Sequence, residues 1–107
     1  MLLDHCVPKR LKNSFRKHEV ETAREAGWDG LKNGKLLAQA ATRFDVLLTV
    51  DRNIKHQQNL AKHDIAIIVI VAHNNRLPTL LPYVPEIEKA LQSIKAGELV
   101  EVFSPIK

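Results

Sequence analysis

A single cysteine, Cys6, is all the thiol this chain carries. That excludes an internal disulfide and points to a reducing, cytoplasmic setting, with Cys6 itself a packed thiol. Glycine is scarce too. The four glycines form no glycine-rich phosphate loop and no G-x-S-x-G elbow. No H-E-x-x-H pair or Cys/His cluster is present, and His56 and His63 stand seven apart, which argues against a zinc site. Aromatic residues make up only 5% of the chain, and Trp28 and Phe103 are too isolated to form a base-stacking platform. The longest apolar run, 65–72, has the length of a buried strand and falls well short of a membrane span. Nothing resembling a signal peptide precedes the first strand.

What remains is an ordinary globular composition, 45% hydrophobic and 26% charged over 107 residues, enough for one domain with one core. The net charge of +4 fits a solvated basic surface, or a surface that helps to hold a polyanion such as RNA.

Five runs read as strands. Leu2-Leu3-Asp4 comes first, then 19–22, then 46–50, which is rich in strand formers and closed by Asp51. The run 65–71 is apolar on both faces, as a central parallel strand must be, and 98–103 alternates as an edge strand does. Helical sequence lies between them. Pro8 suits the first turn of a helix to about Arg16, with Leu11 and Phe15 as its buried face. Asn33 is an N-cap for a helix carrying Leu36, Leu37, Ala40, Ala41 and Phe44. The stretch 52–62 reads as a loop with a short helix at 54–61. The last helix carries Leu80, Val84, Ile87, Leu91 and Ile94, with Pro82 and Pro85 confined to its first turns. The order β-α-β-α-β-α-β-α-β, without repeat or linker, predicts one α/β domain over 1–107.

In a parallel sheet the segments following the strands share the carboxyl edge, where such folds bind ligands. That edge gathers Asp4, His5, Lys9, Arg10, Asn33, Lys35, Asp51, Arg52, Asn53, Asn74, Asn75 and Arg76, with Lys55 nearby. Asp4 and Asp51 each close a buried strand and should face each other across adjacent strands. Carboxylates among amides are hard oxygen donors suited to Mg²⁺ or Mn²⁺, although two acids alone make a weak site and either could simply cap the next segment. Lys9, Arg10, Arg52, Lys55 and Arg76, with Asn33, Lys35, Asn53 and Asn75, are the candidate RNA-binding residues. Lys35 opens its helix, where the dipole disfavours a cation. Its ammonium is expected to sit beside the aspartates where a metal would.

These segments resemble a family. Leu2-Leu3-Asp4-His5-Cys6-Val7-Pro8 is similar to the first-strand motif of the small PIN-like proteins related to VapC-type toxins. His18-Glu19-Val20, Gly27-Trp28 and Gly30-Leu31-Lys32-Asn33-Gly34 resemble their middle section. Leu48-Thr49-Val50-Asp51-Arg52-Asn53-Ile54, followed by Gln57-Gln58-Asn59-Leu60, resembles their second signature. The likeness extends to Asn75-Arg76-Leu77 and the last helix, and so covers nearly the whole chain. It implies a three-layer α/β/α domain with a mainly parallel five-stranded sheet. It also implies a metal-dependent ribonuclease, often the toxin of a toxin–antitoxin pair, with Asp4 and Asp51 as the acids that match. Two positions depart from the pattern. His5 stands where an acid often follows the first aspartate, and Lys35 replaces the acid of an Asn-Gly-acid helix start. Asn53 stands where broader relatives have a further acid.

Three functions compete on these residues. The first is a PIN-like ribonuclease or toxin with an eroded acidic site, Mg²⁺ or Mn²⁺ held weakly by Asp4 and Asp51, and an antitoxin or a second copy as partner. The second is a non-catalytic PIN-like module binding RNA or protein through the same edge. The third is a receiver-like phosphoacceptor domain with Asp51 as the acceptor. It would want paired acids after strand one and a lysine after the last strand, where the chain has Asp4-His5 and, near its end, Lys107.

Overall fold

Five short runs form one sheet: β1 (Leu2–Leu3), β2 (Glu21–Thr22), β3 (Val46–Thr49), β4 (Ala66–Ile70) and β5 (Leu99–Val102). The computed structural model describes residues 1–31, 33–56 and 63–104, with the side chains of Asn33, Gly34, Lys55 and His56 outside that description. The strand order is β2-β1-β3-β4-β5 and every pairing is parallel. The most apolar run, β4, is buried throughout and has a neighbour on each side, while β5 lies at an edge. In this order the chain leaves β1 toward β2 and returns on the other side as β3, so the topological switch point lies between β1 and β3.

Side chains alternate between the faces of the sheet. Leu3, Leu48, Ile68, Ile70 and Val102 pack on one side with Leu11, Phe15, Leu80, Tyr83 and Ile87. Leu2, Leu47, Ile67 and Val69 pack on the other with Leu36, Leu37, Ala40 and Ile54. The result is a three-layer α/β/α domain. Among the described residues no helix is long and apolar enough to cross a membrane.

The helices differ from the sequence reading in their boundaries, for identifiable reasons. The segment after Pro8 is a 3₁₀ helix, Lys9–Ser14, whose tighter turn carries Leu11 and, just beyond its end, Phe15 into the core. The middle helix α1 spans Asn33–Ala40, and Phe44 N–H still bonds the Ala40 carbonyl at 2.8 Å. After β3 comes a 3₁₀ turn, Arg52–His56, and most of the predicted helix 54–61 lies outside the described residues. The last helix is not continuous. It divides into α2 (Leu77–Leu80), a 3₁₀ turn (Leu81–Tyr83) and α3 (Val84–Ser93), each with a proline in its first turn. A proline lacks the amide a continuing helix would use, so Pro78, Pro82 and Pro85 each favour a fresh start.

The end of β2 is tied to the first 3₁₀ segment by a reciprocal cap. Thr22 N–H bonds Glu25 Oε1 and Glu25 N–H bonds Thr22 Oγ1, both at 3.0 Å, while Lys12 Nζ reaches Glu25 Oε2 at 2.7 Å. The hydrogen bond from Lys12, aided by the Thr22 amide, holds the Glu25 carboxyl down at about 2, against an ordinary 4.5. A folded-state value below the unfolded one means the contribution is present above pH 4.5 and lost as pH falls toward 2. Glu25→Gln should therefore be less stable than wild type at neutral pH, and the gap should close through that window. Thermal unfolding of both proteins across the acid range measures it; a gap that stays constant would contradict the assignment.

Candidate active site at the carboxyl edge

The alternation that buries Leu2 and Leu47 on one face sends Asp4 and Thr49 the same way. β1 and β3 pair in the register Leu2↔Leu47 and Leu3↔Leu48, and Asp4 N–H extends the ladder to the Leu48 carbonyl at 2.9 Å. Asp4 and Asp51 therefore leave neighbouring strands at the switch point, where open parallel sheets place their ligands.

Thr49, fully buried, joins the two positions. Its hydroxyl donates to Asp4 Oδ2 at 2.8 Å and accepts from the Asp51 amide at 3.0 Å. Cys6 Sγ lies 3.4 Å from the same oxygen and 3.8 Å from Asp4 Oδ2. A hydroxyl has one proton, and a carboxylate only accepts, so the Thr49 proton goes to Asp4. The Cys6 thiol is then the donor toward Thr49, and every bonding position of the hydroxyl is used. Burial pushes the Cys6 thiol above its ordinary value, against the opposing pull of the Thr49 hydrogen bond. It is a protonated, packed thiol at neutral pH, and nucleophilic chemistry would need the thiolate.

Both aspartates also have local structural duties. Asp4 Oδ1 accepts the His5 amide at 2.7 Å, and Asp51 Oδ1 accepts the Asn53 amide at 2.9 Å, capping the Arg52–His56 turn. A carboxylate has about four lone-pair sites, so these bonds leave each side chain able to accept more.

The remaining predicted residues separate into three groups. Lys9, Arg10, Arg52, Asn53 and Arg76 are exposed on segments that follow strands at this edge. Asn75 is exposed but committed, donating to the Cys6 carbonyl at 2.9 Å, and Asn74 Oδ1 accepts the Arg76 amide at 2.9 Å. The β4–α2 loop is thereby pinned to the turn after β1. The side chains of Asn33 and Lys55 lie outside the described residues.

One expectation needs correction. Lys35 is exposed and forms no ion pair among the described residues, so it does not act as a resident cation for the aspartates. A first-turn lysine is not drawn toward the helix N-terminus, because the dipole there is positive. His5 is turned away from Asp4. Its Nε2 lies 2.9 Å from the Leu31 carbonyl and must carry the proton, while Nδ1 lies 4.0 Å from Asp29 Oδ1. It straps the loop after β2 instead of extending the acidic cluster.

Among the described residues no group of three or more His, Cys, Asp or Glu side chains converges on one point. Two carboxylates still suit Mg²⁺, which commonly takes one or two of them with water and substrate phosphates. Cavities of about 660, 610 and 510 Å³ lie elsewhere, and none of these three includes Asp4 or Asp51 in its lining. Sequence reasoning missed Thr49. The signal was its place two residues before Asp51 on a strand whose other face positions are apolar. Comparison with family models, curated proteins and solved structures gives no significant match to this chain.

Proposed function

We propose that this domain is a PIN-like ribonuclease that seats RNA on the carboxyl edge of its sheet. The observation that carries the reading is the pair of aspartates ending adjacent parallel strands at the switch point, tied through the buried Thr49 hydroxyl. Asp4 and Asp51 would hold a divalent ion, Mg²⁺ or Mn²⁺, which when bound activates water and offsets charge on the phosphate. Thr49 and the His5 amide fix the orientation of Asp4, and the Asn53 amide fixes Asp51. Lys9, Arg10, Arg52 and Arg76 would take the flanking phosphates. The toxin form of this reading adds a cognate antitoxin. A small DNA-binding protein encoded beside it that blocks cleavage would support that form, and cleavage unaffected by such a neighbour would count against it.

A second reading, an RNA-binding module without cleavage, is favoured by one feature: among the described residues no third acid converges with Asp4 and Asp51, and His5 bonds the Leu31 carbonyl instead. The receiver-like reading has less support. The strand order suits it, but the residue after Asp4 is a histidine bonded to a loop carbonyl, and Lys107 lies outside the described residues.

Labelled single-stranded RNA separates these. The ribonuclease reading expects cleavage that requires Mg²⁺ or Mn²⁺ and stops on chelation; binding without cleavage selects the second reading. Four phosphate contacts imply a salt slope near −2.8, or a fall in affinity of ~50-fold between 50 and 200 mM salt. No binding at low salt would remove both.

A further inference from the structure

The whole positive excess of this protein lies in ten residues. Sixteen basic against twelve acidic residues leave +4; segment 9–18 holds five of the basic and none of the acidic, so the rest of the chain nets −1. Leu11 and Phe15 are the buried face of this segment, and its polar side chains are left outside.

Two of those side chains are matched by acids: Lys12 by Glu25 at 2.7 Å and His18 by Glu88 at 3.0 Å. Lys9, Arg10, Arg16 and Lys17 are exposed and have no ion pair among the described residues. A merely solvated face would be expected to mix charges of both signs. Here the mixing is confined to two positions, and four cations of one sign remain.

The segment starts just past Asp4, at the carboxyl edge, and ends beside Glu19, whose carbonyl accepts from the Met1 amine at the opposite edge. It runs down one side of the domain. Its lower end borders concave surface: Arg16 lines a cavity of about 510 Å³, and Lys17 lines one of about 660 Å³ whose lining also holds Arg43, paired with Glu21, and the acids Glu19, Asp45 and Asp64. The 3₁₀ helix Lys9–Ser14 rises ~10 Å at about 2 Å per residue. At ~3.4 Å per phosphate in a stacked strand, that spans about three phosphates before Arg16 and Lys17 are reached.

We propose that segment 9–18 is a track for the phosphate backbone of single-stranded RNA, carrying the strand from the Asp4–Asp51 edge down to Arg16 and Lys17. The inference rests on the RNA-binding reading above and extends its footprint beyond the edge. An acidic protein partner fits this surface less well. Protein interfaces are anchored by exposed apolar or aromatic groups, and the large exposed hydrophobics described, Leu81 and Phe103, lie outside the segment.

The test uses the full chain with chelator present, so that RNA is bound and not cut. Fluorescence anisotropy compares wild type, the double variant Arg16→Gln/Lys17→Gln, and Lys95→Gln as an off-track control. The probe is an oligouridylate of about sixteen nucleotides, within the usual range of single-strand site sizes. The double variant should lose ~1.4 from the salt slope, two contacts at about 0.7 each. In the Lys95 control the slope should not change. An unchanged slope in the double variant overturns the track. A loss per charge removed that is equal in the control overturns it as well, since it reports net charge alone. Wild type that does not bind the probe but binds an acidic protein overturns the RNA reading itself.

Discussion

Asp51→Asn should lower the proposed metal-dependent cleavage ~100-fold while leaving the fold in place. The substitution is nearly isosteric, and an asparagine oxygen can accept the Asn53 amide as Asp51 Oδ1 does at 2.9 Å, so the cap on the Arg52–His56 turn survives. What is lost is one of two formal charges that would hold the ion. Ion stabilisation of a phosphoryl transition state is worth several kcal/mol, so losing about 3 kcal/mol of it lowers the rate ~100-fold. The same change removes an anion from the surface proposed to receive phosphates, so affinity for RNA in chelator should rise. Circular dichroism and the denaturant midpoint control for folding. Cleavage by the variant at the wild-type rate would place the activity elsewhere. Weaker binding in chelator would show that Asp51 does not face the phosphates.

Ile68→Ala should have the largest effect on stability. Ile68 is the middle residue of β4, fully buried, registered against Leu48 of β3 and Val100 of β5. Its side chain lies within the cluster containing Leu3, Leu80, Tyr83 and Ile87, where the layer of 3₁₀ and helical segments meets the sheet. Truncation removes three carbons from a site whose walls are strands on both sides, so collapse around the cavity is limited. A loss of about 4 kcal/mol is expected, against a total of roughly 5–15 kcal/mol for a domain of this size. The urea midpoint should fall with little change in slope. A loss under ~1 kcal/mol would mean that this strand is not the centre of the core.

Some of this was written locally in the chain. The run at 66–70 announces a strand covered on both faces, because only there can consecutive β-branched residues all be buried. Leu2-Leu3 and Val46 to Thr49, separated from it and from each other by helical or polar sequence, imply parallel strands. A parallel sheet in turn puts Asp4 and Asp51 at one edge. The last helix was legible as an apolar stripe but not in its breaks: Pro78, Pro82 and Pro85 each remove an amide, and three short segments replace the single helix expected.

The sequence alone therefore determined the class of fold, the carboxyl-edge position of both aspartates and the charge of segment 9–18. Beyond the expected adjacency of the two strands closed by Asp4 and Asp51, the strand order was decided only by tertiary structure, since a parallel pairing joins residues far apart in the chain, as Ile67↔Leu99 does, and leaves no periodicity to read. Polar side-chain directions were decided the same way. Thr49 is drawn to Asp4 across 45 positions, His5 to the Leu31 carbonyl across 26, and Asn75 to the Cys6 carbonyl across 69. A buried polar atom such as the Thr49 hydroxyl turns toward whichever partner the fold brings within hydrogen-bond reach, because leaving it unpaired costs about 1–3 kcal/mol. That cost is fixed by the surroundings and not by neighbours in the chain. For this reason the hydroxyl that joins the two aspartates, and the histidine that turns away from them, emerged only once the chain was folded.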